Sequence, residues 1–481
     1  MKIYSNANIK PYEIEKLGRI FLPFESFEFL NEPSSDCELL ITKDDNKTTA
    51  SLTLGGDTAE FSNVITDSEE KEEQLETAAI VYRCFSKILN YSSPWGILTG
   101  VRPAKLFLQK QRLLGEQKAE EYFRSKLLVT PQKTELCRAA IKGEEQIISL
   151  SKPDSFSLYV GIPFCPSRCS YCSFVSHSVE HAEKLIPKYV ELLCKEIKLT
   201  GEIARKLRLR LETVYIGGGT PTTLSATQLE SIMKAIKSSF DLSTMREFTV
   251  EAGRPDTITE EKLAAIKSCG ATRISVNPQT MNDEVLKTIG RRHTAKQTVN
   301  AFYAARKAGF NNINMDLIAG LPSDNPESFL NSVTELLKLD PESVTVHTLC
   351  LKRSANLSEN DGRALLKRGD ETARMLDIGS KLLKENKLMP YYMYRQSKMV
   401  GNLENVGYAK RGFEGLYNVY IMDETHSILA CGGSAVTKLK APHKNEIERI
   451  YNFKYPYEYI ERFDEQIKRK ERILSFYDNG D

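Results

Sequence analysis

Short apolar runs alternate with helical stretches from Phe156 to Thr348, and this alternation constrains the fold more than any other feature of the sequence. Such alternation predicts parallel strands joined by helical crossovers. A closed barrel needs eight strand–helix units, whereas about six are visible here. We therefore expect an α/β fold built on an open, partial (β/α)6 barrel. The predicted strands are Leu158–Ile162, Thr213–Ile216, Glu247–Glu251, Arg273–Asn277, Asn312–Ile318 and Ser343–Thr348.

Two further regions flank the predicted barrel, which we assign to residues 155–360. Residues 1–150 combine β-favouring runs with helical stretches and predict an N-terminal α+β accessory domain. The polar segment Ser151–Ser155 is typical of a linker. Residues 361–481 begin with helical periodicity, continue with short strands around Tyr417–Met422 and Ser427–Cys431, and end in a charged helix. They predict a C-terminal α+β region, which we expect to cover a substrate.

Composition excludes several classes of protein. The chain has 481 residues, 41% hydrophobic and 27% charged, as in a globular protein with more than one domain. Its 66 Lys+Arg and 64 Asp+Glu give a formal net charge of +2, which argues against a nucleic-acid partner. No apolar run approaches the roughly 18–20 residues that span a bilayer, and Met1–Pro11 has no signal or transit pattern. We expect a cytoplasmic protein without a membrane span.

Three of the 10 cysteines form a cluster. Cys165, Cys169 and Cys172 have the spacing C-x3-C-x2-C directly after the first predicted strand, where barrel enzymes carry their chemistry. Three thiolates on one loop can hold three irons of a cubane cluster and leave the fourth iron open. The alternative is a structural zinc site with His177 as a fourth ligand.

A second motif, Gly217-Gly-Gly-Thr-Pro221, follows the second predicted strand. Consecutive glycines let the backbone approach a ligand closely and expose its N–H groups. Polar side chains also stand at or just beyond the ends of later strands. They are Glu251, Gln279, Arg291 in Gly290-Arg-Arg-His293, and Asp316 in Asn314-Met-Asp-Leu-Ile-Ala-Gly-Leu-Pro322.

The cysteine loop, with Tyr171 before its last cysteine, resembles that of the radical S-adenosylmethionine (SAM) enzymes. The resemblance implies a partial radical SAM barrel and a [4Fe-4S] cluster held by Cys165, Cys169 and Cys172, with SAM on the open iron. It also implies a reducing electron donor such as flavodoxin or ferredoxin. The SAM contacts that it implies are Tyr159, Tyr171, Gly218, Gly219, Thr220, Glu251, Gln279, Arg291, Asp316 and Val436.

Tyr159 to Thr348 resembles, more narrowly, the coproporphyrinogen III oxidase-like branch of these enzymes. The segments Trp95–Lys105 and Gly401–Tyr408 resemble the HemZ-type coproporphyrinogen dehydrogenases. The resemblance implies oxidative decarboxylation of coproporphyrinogen III, a tetrapyrrole, to protoporphyrinogen IX. The sequence departs from the branch at two places. Ser173-Phe174 lacks the fourth cysteine of the oxidases, and Glu404–Ala409 lacks the histidine and tryptophan of the haem chaperones' binding motif.

Contacts to such a substrate follow from its four propionates, which favour guanidinium partners. Candidates are Arg102, Arg292, Arg353 and Arg395, with Tyr391, Tyr392 and Tyr394 beside the ring system. For His293 and His347 a structural role is favoured over proton donation. Two alternatives stay open, both within this branch. One is a haem-binding chaperone that keeps the cluster, and the other is a radical SAM haem-degrading methyltransferase.

Overall fold

The computed structural model of the chain describes residues 1–64, 70–172, 177–350, 362–396, 398–441 and 446–478. Ser173, Phe174 and Arg353 lie outside these ranges. The strands are β1 (Lys2–Ser5), β2 (Glu28–Leu30), β3 (Leu39–Asp44), β4 (Lys47–Leu54), β5 (Asp57–Val64), β6 (Ser155–Ile162), β7 (Phe164–Cys165), β8 (His177–Ser178), β9 (Arg210–Gly218), β10 (Glu247–Glu251), β11 (Arg273–Ser275), β12 (Ile313–Ala319), β13 (Ser343–Thr348), β14 (Met389–Tyr394), β15 (Asn405–Ala409), β16 (Ser427–Cys431), β17 (Val436–Lys440) and β18 (Ile447–Tyr451).

The helices follow the same chain order. They are α1 (Pro11–Phe21), α2 (Glu70–Leu89), α3 (Pro103–Leu114), α4 (Glu116–Glu121), α5 (Pro131–Ile148), α6 (Val179–Ala182), α7 (Ile186–Lys206), α8 (Ala226–Ser239), α9 (Glu260–Ser268), α10 (Asp283–Thr288), α11 (Ala295–Lys307), α12 (Pro326–Leu337), α13 (Gly362–Glu385), α14 (Leu416–Asp423), α15 (Pro456–Glu461) and α16 (Phe463–Asp478). Within the described ranges, none of them combines the length and the apolar character that crossing a bilayer requires.

The chain forms two compact units, each assembled from separate segments. The N-terminal unit consists of Met1–Ile141, Thr348–Asp377 and Met393–Asn405, and the barrel unit consists of Lys142–His347, Ile378–Tyr392 and Val406–Asp481. The division of the sequence into 1–150, 155–360 and 361–481 stays a prediction.

The N-terminal unit contains a five-stranded sheet in the order β2-β1-β3-β4-β5. Aromatic rings of α1 and α2 pack together, with the Phe21 and Phe85 centroids 5.1 Å apart. Trp95 is fully buried, and its Nε1 donates to Glu404 Oε2 at 2.7 Å. Lys133 Nζ donates to the other oxygen of Glu404 at 2.6 Å. The segments around Trp95 and Gly401, far apart in sequence, therefore join through one buried carboxylate.

The barrel unit is organised by a sheet in the order β14-β15-β13-β12-β11-β10-β9-β6-β16-β17-β18. Its six central strands are the six that the sequence predicts, and β6, β9, β10, β11 and β12 pair in parallel in that order. The partial barrel is thus confirmed. Strands after residue 361 extend this sheet at both ends, β15 antiparallel to β13 and β16 parallel to β6.

Several crossover helices of the barrel unit begin at a residue whose side chain caps the helix. Ser225 and Thr294 form capping boxes with Gln228 and Gln297 at the starts of α8 and α11, so the first free N–H groups of these helices are satisfied. Asn325 caps α12, whose first residue is Pro326. The turns before α8, α11 and α12 therefore each end in a defined helix start.

The expected strand around Tyr417–Met422 is wrong, because this segment is the helix α14. Its aromatic and branched residues favour a strand. The carboxylate of Glu247 instead accepts hydrogen bonds from the backbone N–H groups of Leu416 at 2.8 Å and Tyr417 at 3.1 Å. A carboxylate at this position stabilises a helix start. The sequence around α14 does not predict this contact, because Glu247 lies on the distant strand β10.

Candidate active site

The cysteine loop leaves β6 and is fixed by neighbouring backbone. Cys165 and Cys169 are buried, and Cys172 is half-buried. The N–H of Ser170 donates to the Ile289 carbonyl at 3.1 Å, and the Ser167 hydroxyl donates to the Gly290 carbonyl at 3.3 Å. The turn after α10 therefore anchors the loop that carries the three thiols.

The glycine run after β9 packs directly on this loop. Gly219 N donates to the Ile162 carbonyl at 2.8 Å, and Thr220 Oγ1 lies 3.5 Å from Cys165 Sγ. A Cβ atom on Gly219 would lie 2.5 Å from the Phe164 carbonyl oxygen and 3.0 Å from Cys165 Sγ. A side chain at Gly219 is thus excluded by backbone. The close approach that the structure shows is made to the cysteine loop, and the expected approach to a ligand stays a prediction.

Five strands of the barrel unit each place one half-buried side chain among buried neighbours. We call these residues the inner ring: Tyr159 on β6, Tyr215 on β9, Glu251 on β10, Asp316 on β12 and His347 on β13. Four of them form two linked pairs. The Tyr215 hydroxyl donates to Glu251, and His347 Nε2 lies 3.7 Å from Asp316 Oδ2. The ring brings together three of the predicted SAM contacts.

Three tyrosine rings stack beside the inner ring. The centroids of Tyr215 and Tyr417 are 4.5 Å apart, and that of Tyr159 lies 6.2 Å from Tyr417. The interplanar angles are 23° and 21°, so the rings are close to parallel. The sequence analysis did not single out Tyr215 or Tyr417 as site residues. The only available signal for Tyr215 is its place two residues before Gly217 on a predicted strand.

The two carboxyl groups of the inner ring have opposite pKa shifts. Burial raises the pKa of Glu251 to about 7, and the negative charge of Asp316 adds to this effect. Burial also acts to raise the pKa of Asp316, but hydrogen bonds with His347, Asn314 and Thr345 outweigh it and hold the pKa below its ordinary value. Near neutral pH, Glu251 is therefore partly protonated while Asp316 stays ionised.

The remaining predicted contacts have different surroundings. The Arg291 guanidinium donates to the carbonyls of Asn277 at 2.6 Å and Gly253 at 2.9 Å, so it connects the segments that follow β11 and β10.

Gln279 has a φ of +68°, and its buried side-chain oxygen has no hydrogen-bond partner in the part of the chain that is described. Burial raises the pKa of Tyr171, opposed by Arg291. Val436 is the first residue of β17.

Arg254, which the sequence analysis also missed, contacts the cysteine loop from the segment after β10. Its Nη1 atom lies 3.5 Å from Cys169 Sγ. The position three residues beyond Glu251, at the end of a predicted barrel strand, was the available signal. His293 lies nearby, 3.8 Å from Asp256, and burial lowers its pKa to about 3. His293 is therefore neutral at pH 7, which agrees with a structural role.

Two other expectations find no support in the geometry. Arg395 is buried in the N-terminal unit, where it donates to the carbonyls of Leu98 at 2.7 Å and Asn402 at 2.9 Å, so these donors are not available to a propionate. His177, the fourth ligand of the zinc alternative, packs its ring against Tyr455 at 5.7 Å between centroids.

The other substrate candidates are scattered. Arg102 is half-buried before α3, Arg292 is exposed, Tyr391 and Tyr392 are buried in β14, and Tyr394 ends that strand half-buried.

Comparison with known proteins places this site in a family. Residues 159–336 match the Radical SAM superfamily. The chain is 37% identical over 425 residues to the oxygen-independent coproporphyrinogen-III oxidase-like protein HemZ of Bacillus subtilis (strain 168), covering 86% of this chain and 84% of that protein. It is 32% identical over 314 residues to the heme chaperone HemW of the same organism, covering 63% and 77%.

Among solved structures, the coproporphyrinogen III oxidase HemN from Escherichia coli, described as a radical SAM enzyme, has a similar fold. The TM-score is 0.51 at 22% identity, over 67% of this chain and 72% of that chain. This match agrees with the partial barrel fold. The superfamily match and the extent of the HemZ similarity show that the chain belongs to the radical SAM superfamily, in its coproporphyrinogen-III oxidase-like branch.

Proposed function

We propose that the chain is a radical SAM oxidoreductase that decarboxylates coproporphyrinogen III to protoporphyrinogen IX without oxygen. The observation that carries the substrate assignment is the extent of the similarity to HemZ. It covers 86% of this chain, whereas the superfamily match is confined to residues 159–336. The similarity therefore includes segments outside the radical SAM core, such as those that meet at Glu404.

The cysteine loop fits the [4Fe-4S] cluster that superfamily membership implies. Cys165, Cys169 and Cys172 would each bind a different iron, so the three thiols need not converge on one point. Within the described ranges, no group of three His, Cys, Asp or Glu residues is placed to hold a metal ion. The absence of a side chain at Gly219 leaves space for the Cys165 sulfur, because a Cβ atom there would lie 3.0 Å from Sγ. With SAM, such a cluster supplies a 5′-deoxyadenosyl radical.

The inner ring and the glycine run would hold SAM. Asp316 is ionised at neutral pH and Glu251 becomes ionised above about pH 7, so the ring offers negative charge to the SAM ammonium and acceptors to its ribose. The unpartnered oxygen of Gln279 is a further acceptor. Gly218, Gly219, Thr220, Tyr159, Tyr171, Arg291 and Val436 complete the proposed SAM contacts.

The tyrosine stack would orient the tetrapyrrole. The rings of Tyr159, Tyr215 and Tyr417 are near-parallel and would offer aromatic contacts to a tetrapyrrole. Loss of a hydrogen atom from a propionate β-carbon, followed by loss of carbon dioxide and of one electron to an external acceptor, leaves a vinyl group. We propose that this occurs at two propionates, in the cytoplasm, with a flavodoxin- or ferredoxin-type electron donor for the cluster.

An anaerobic turnover assay tests this function. The iron–sulfur-reconstituted protein receives reductant, SAM and coproporphyrinogen III, and products are identified by mass spectrometry, with a Cys169→Ala variant as the matched control. We expect 5′-deoxyadenosine together with mono- and divinyl products from the wild type only. Deoxyadenosine without change in the tetrapyrrole would overturn the substrate assignment and keep the radical SAM assignment.

A second candidate is a haem-binding chaperone, favoured by the 32% identity to HemW over 63% of this chain. It predicts stoichiometric haem binding without deoxyadenosine. The haem-degrading methyltransferase predicts S-adenosylhomocysteine and a methylated open-chain tetrapyrrole when haem is supplied in the same assay. The three functions therefore differ in products that one set of reactions measures.

A further inference from the structure

Arg254 connects the segment after β10 to the middle of the cysteine loop. Its side chain is 3% exposed. Nη1 lies 3.5 Å from Cys169 Sγ, and Nη2 donates to the Ser167 hydroxyl at 3.1 Å. The opposite edge of the guanidinium pairs with Asp256, Nε to Oδ1 at 3.1 Å and Nη2 to Oδ2 at 3.2 Å. The planar guanidinium is therefore held in one orientation between the Asp256 carboxylate and the Cys169 thiol.

The charge at this position is permanent. An arginine side chain stays protonated in proteins, and the guanidinium of Arg254 forms an ion pair with Asp256, with Nε 3.1 Å from Oδ1. The nearby imidazole of His293 is neutral at pH 7, since burial and the charges of Arg291 and Arg254 lower its pKa to about 3. Arg254 and Asp256 are thus an ionised pair whose positive end faces Cys169.

We propose that Arg254 donates a charge-assisted hydrogen bond to the Cys169 thiolate of the loaded cluster and thereby raises its reduction potential, while Asp256 moderates this effect. The inference rests on the proposed role of Cys169 as a cluster ligand. Reduction adds one negative charge to the cluster and its ligands, so a donor or a cation at a ligand sulfur stabilises the reduced form. Because the pair is buried, solvent screens this interaction weakly.

A purely structural role for Arg254 makes a different prediction. Its bonds to Ser167 also brace the loop, and the loss of a brace would lower cluster content without a shift that follows the sign of the charge. Replacement of Asp256 separates the two roles, because Asp256→Asn keeps the shape of the side chain and removes a negative charge. If charge sets the potential, Arg254→Gln and Asp256→Asn shift it in opposite directions.

The experiment is a redox titration of the reconstituted, SAM-free protein, followed by electron paramagnetic resonance of the reduced cluster. For Arg254→Gln we expect at least about a tenfold lower ratio of reduced to oxidised cluster at the wild-type midpoint, which for one electron is about 59 mV. The midpoint potential of Arg254→Lys should lie between those of the wild type and Arg254→Gln. That of Asp256→Asn should lie above that of the wild type. Arg472→Gln, which removes an exposed guanidinium on α16, is the charge-matched control and keeps the wild-type potential.

The outcomes separate this inference from the proposed function. A wild-type protein that takes up no cluster contradicts the proposed function itself. A loaded wild type with unchanged potentials in both Arg254→Gln and Asp256→Asn overturns the role of Arg254 alone. If Arg254→Gln does not retain a cluster, Asp256→Asn decides: a higher potential supports the proposal, and a wild-type potential overturns it.

Discussion

The hydroxyl of Tyr215 donates a hydrogen bond to the carboxylate of Glu251 across the neighbouring parallel strands β9 and β10. Glu251 also lies against the backbone of the glycine run, since a Cβ atom on Gly217 would be 2.9 Å from its Oε2. Burial raises the pKa of this carboxyl to about 7, and the Tyr215 hydrogen bond opposes that rise. Small changes at Tyr215 should therefore change the charge of Glu251 at neutral pH.

Tyr215→Phe removes the donor and should weaken SAM binding in a pH-dependent way. A hydrogen bond to a charged group contributes about 1.5–3 kcal/mol, so its loss raises the pKa of Glu251 and leaves less carboxylate at pH 7.5. We expect the Kd for SAM, measured by calorimetry with the oxidised cluster, to rise about five- to tenfold at pH 7.5 and less than about twofold at pH 9. Tyr417→Phe, which keeps the neighbouring ring, is the control. A pH-independent loss would contradict the role of the carboxylate.

Glu251→Gln should stabilise the SAM-free protein at neutral and higher pH. In the unfolded chain Glu251 loses its proton near its ordinary pKa of 4.5, whereas in the folded chain it holds the proton up to about pH 7. The folded state binds more protons between these values, so the free energy of unfolding falls as pH rises through this window. Urea unfolding should show the variant more stable than wild type by about 1–3 kcal/mol at pH 8 and nearly equal at pH 4. Equal stability at both pH values would be inconsistent with a raised pKa.

The sequence predicts much of the barrel because its local signals agree with its packing. All six predicted strands form, since their branched apolar residues suit a buried parallel sheet. The helices α8 and α11 that connect some of them start at side-chain caps close by in sequence, Ser225 and Thr294. The cysteine loop and the glycine run follow the strands that were expected to carry them. These features depend on residues that are near one another in the chain.

The missed features depend on contacts between distant segments. Tyr417 comes from α14, whose start is capped by Glu247 from β10, and Arg254 reaches Cys169 across 85 positions of sequence. Which side chains meet depends on the register of several strands and on the loops between them. A single sequence shows that a residue ends a strand, but it does not show what that residue contacts.

Gly219→Ala should reduce cluster incorporation. The added Cβ atom would lie 2.5 Å from the Phe164 carbonyl oxygen and 3.0 Å from Cys165 Sγ, so the cysteine loop must move. Such overpacking costs about 1–3 kcal/mol of folding free energy, and it displaces a proposed ligand. Iron and sulfide per chain after reconstitution should fall at least about twofold, by the same displacement. Gly100→Ala is the matched control, because its nearest contact would be 3.9 Å away. A wild-type iron content in Gly219→Ala would show that the close packing of Gly219 on the cysteine loop is not needed for cluster binding.

Cys169→Ala should abolish both cluster uptake and cleavage of SAM, since two remaining thiols would not hold a site-differentiated cubane cluster. Cys194→Ala is the control, because Cys194 lies half-buried on α7 outside the loop. Iron content and 5′-deoxyadenosine formation are the two readouts. Retained cleavage of SAM in Cys169→Ala would contradict the assignment of the metal ligands, whatever the substrate is.

Lys470→Met should destabilise the barrel unit through a buried ion pair. Lys470 and Glu196 are both fully buried, with Nζ and Oε1 3.0 Å apart. Glu196 also accepts from Tyr459 at 2.6 Å and from the N–H of Gly432 at 2.7 Å. Removing only the cation leaves a buried carboxylate without its partner, which costs about 3–5 kcal/mol.

The double variant Glu196→Gln/Lys470→Met distinguishes this effect from lost packing at Lys470. It removes both charges and keeps an acceptor for the N–H of Gly432, so we expect it to regain most of the lost stability in urea unfolding. If the double variant is as unstable as Lys470→Met alone, packing around Lys470 rather than the unpaired charge explains the loss. A Cβ atom placed on Gly432 would lie only 2.4 Å from the Gly161 carbonyl oxygen near the end of β6, so the ion pair supports the strand that leads into the cysteine loop. We therefore expect Lys470→Met to lower cluster content as well, and the double variant to restore it.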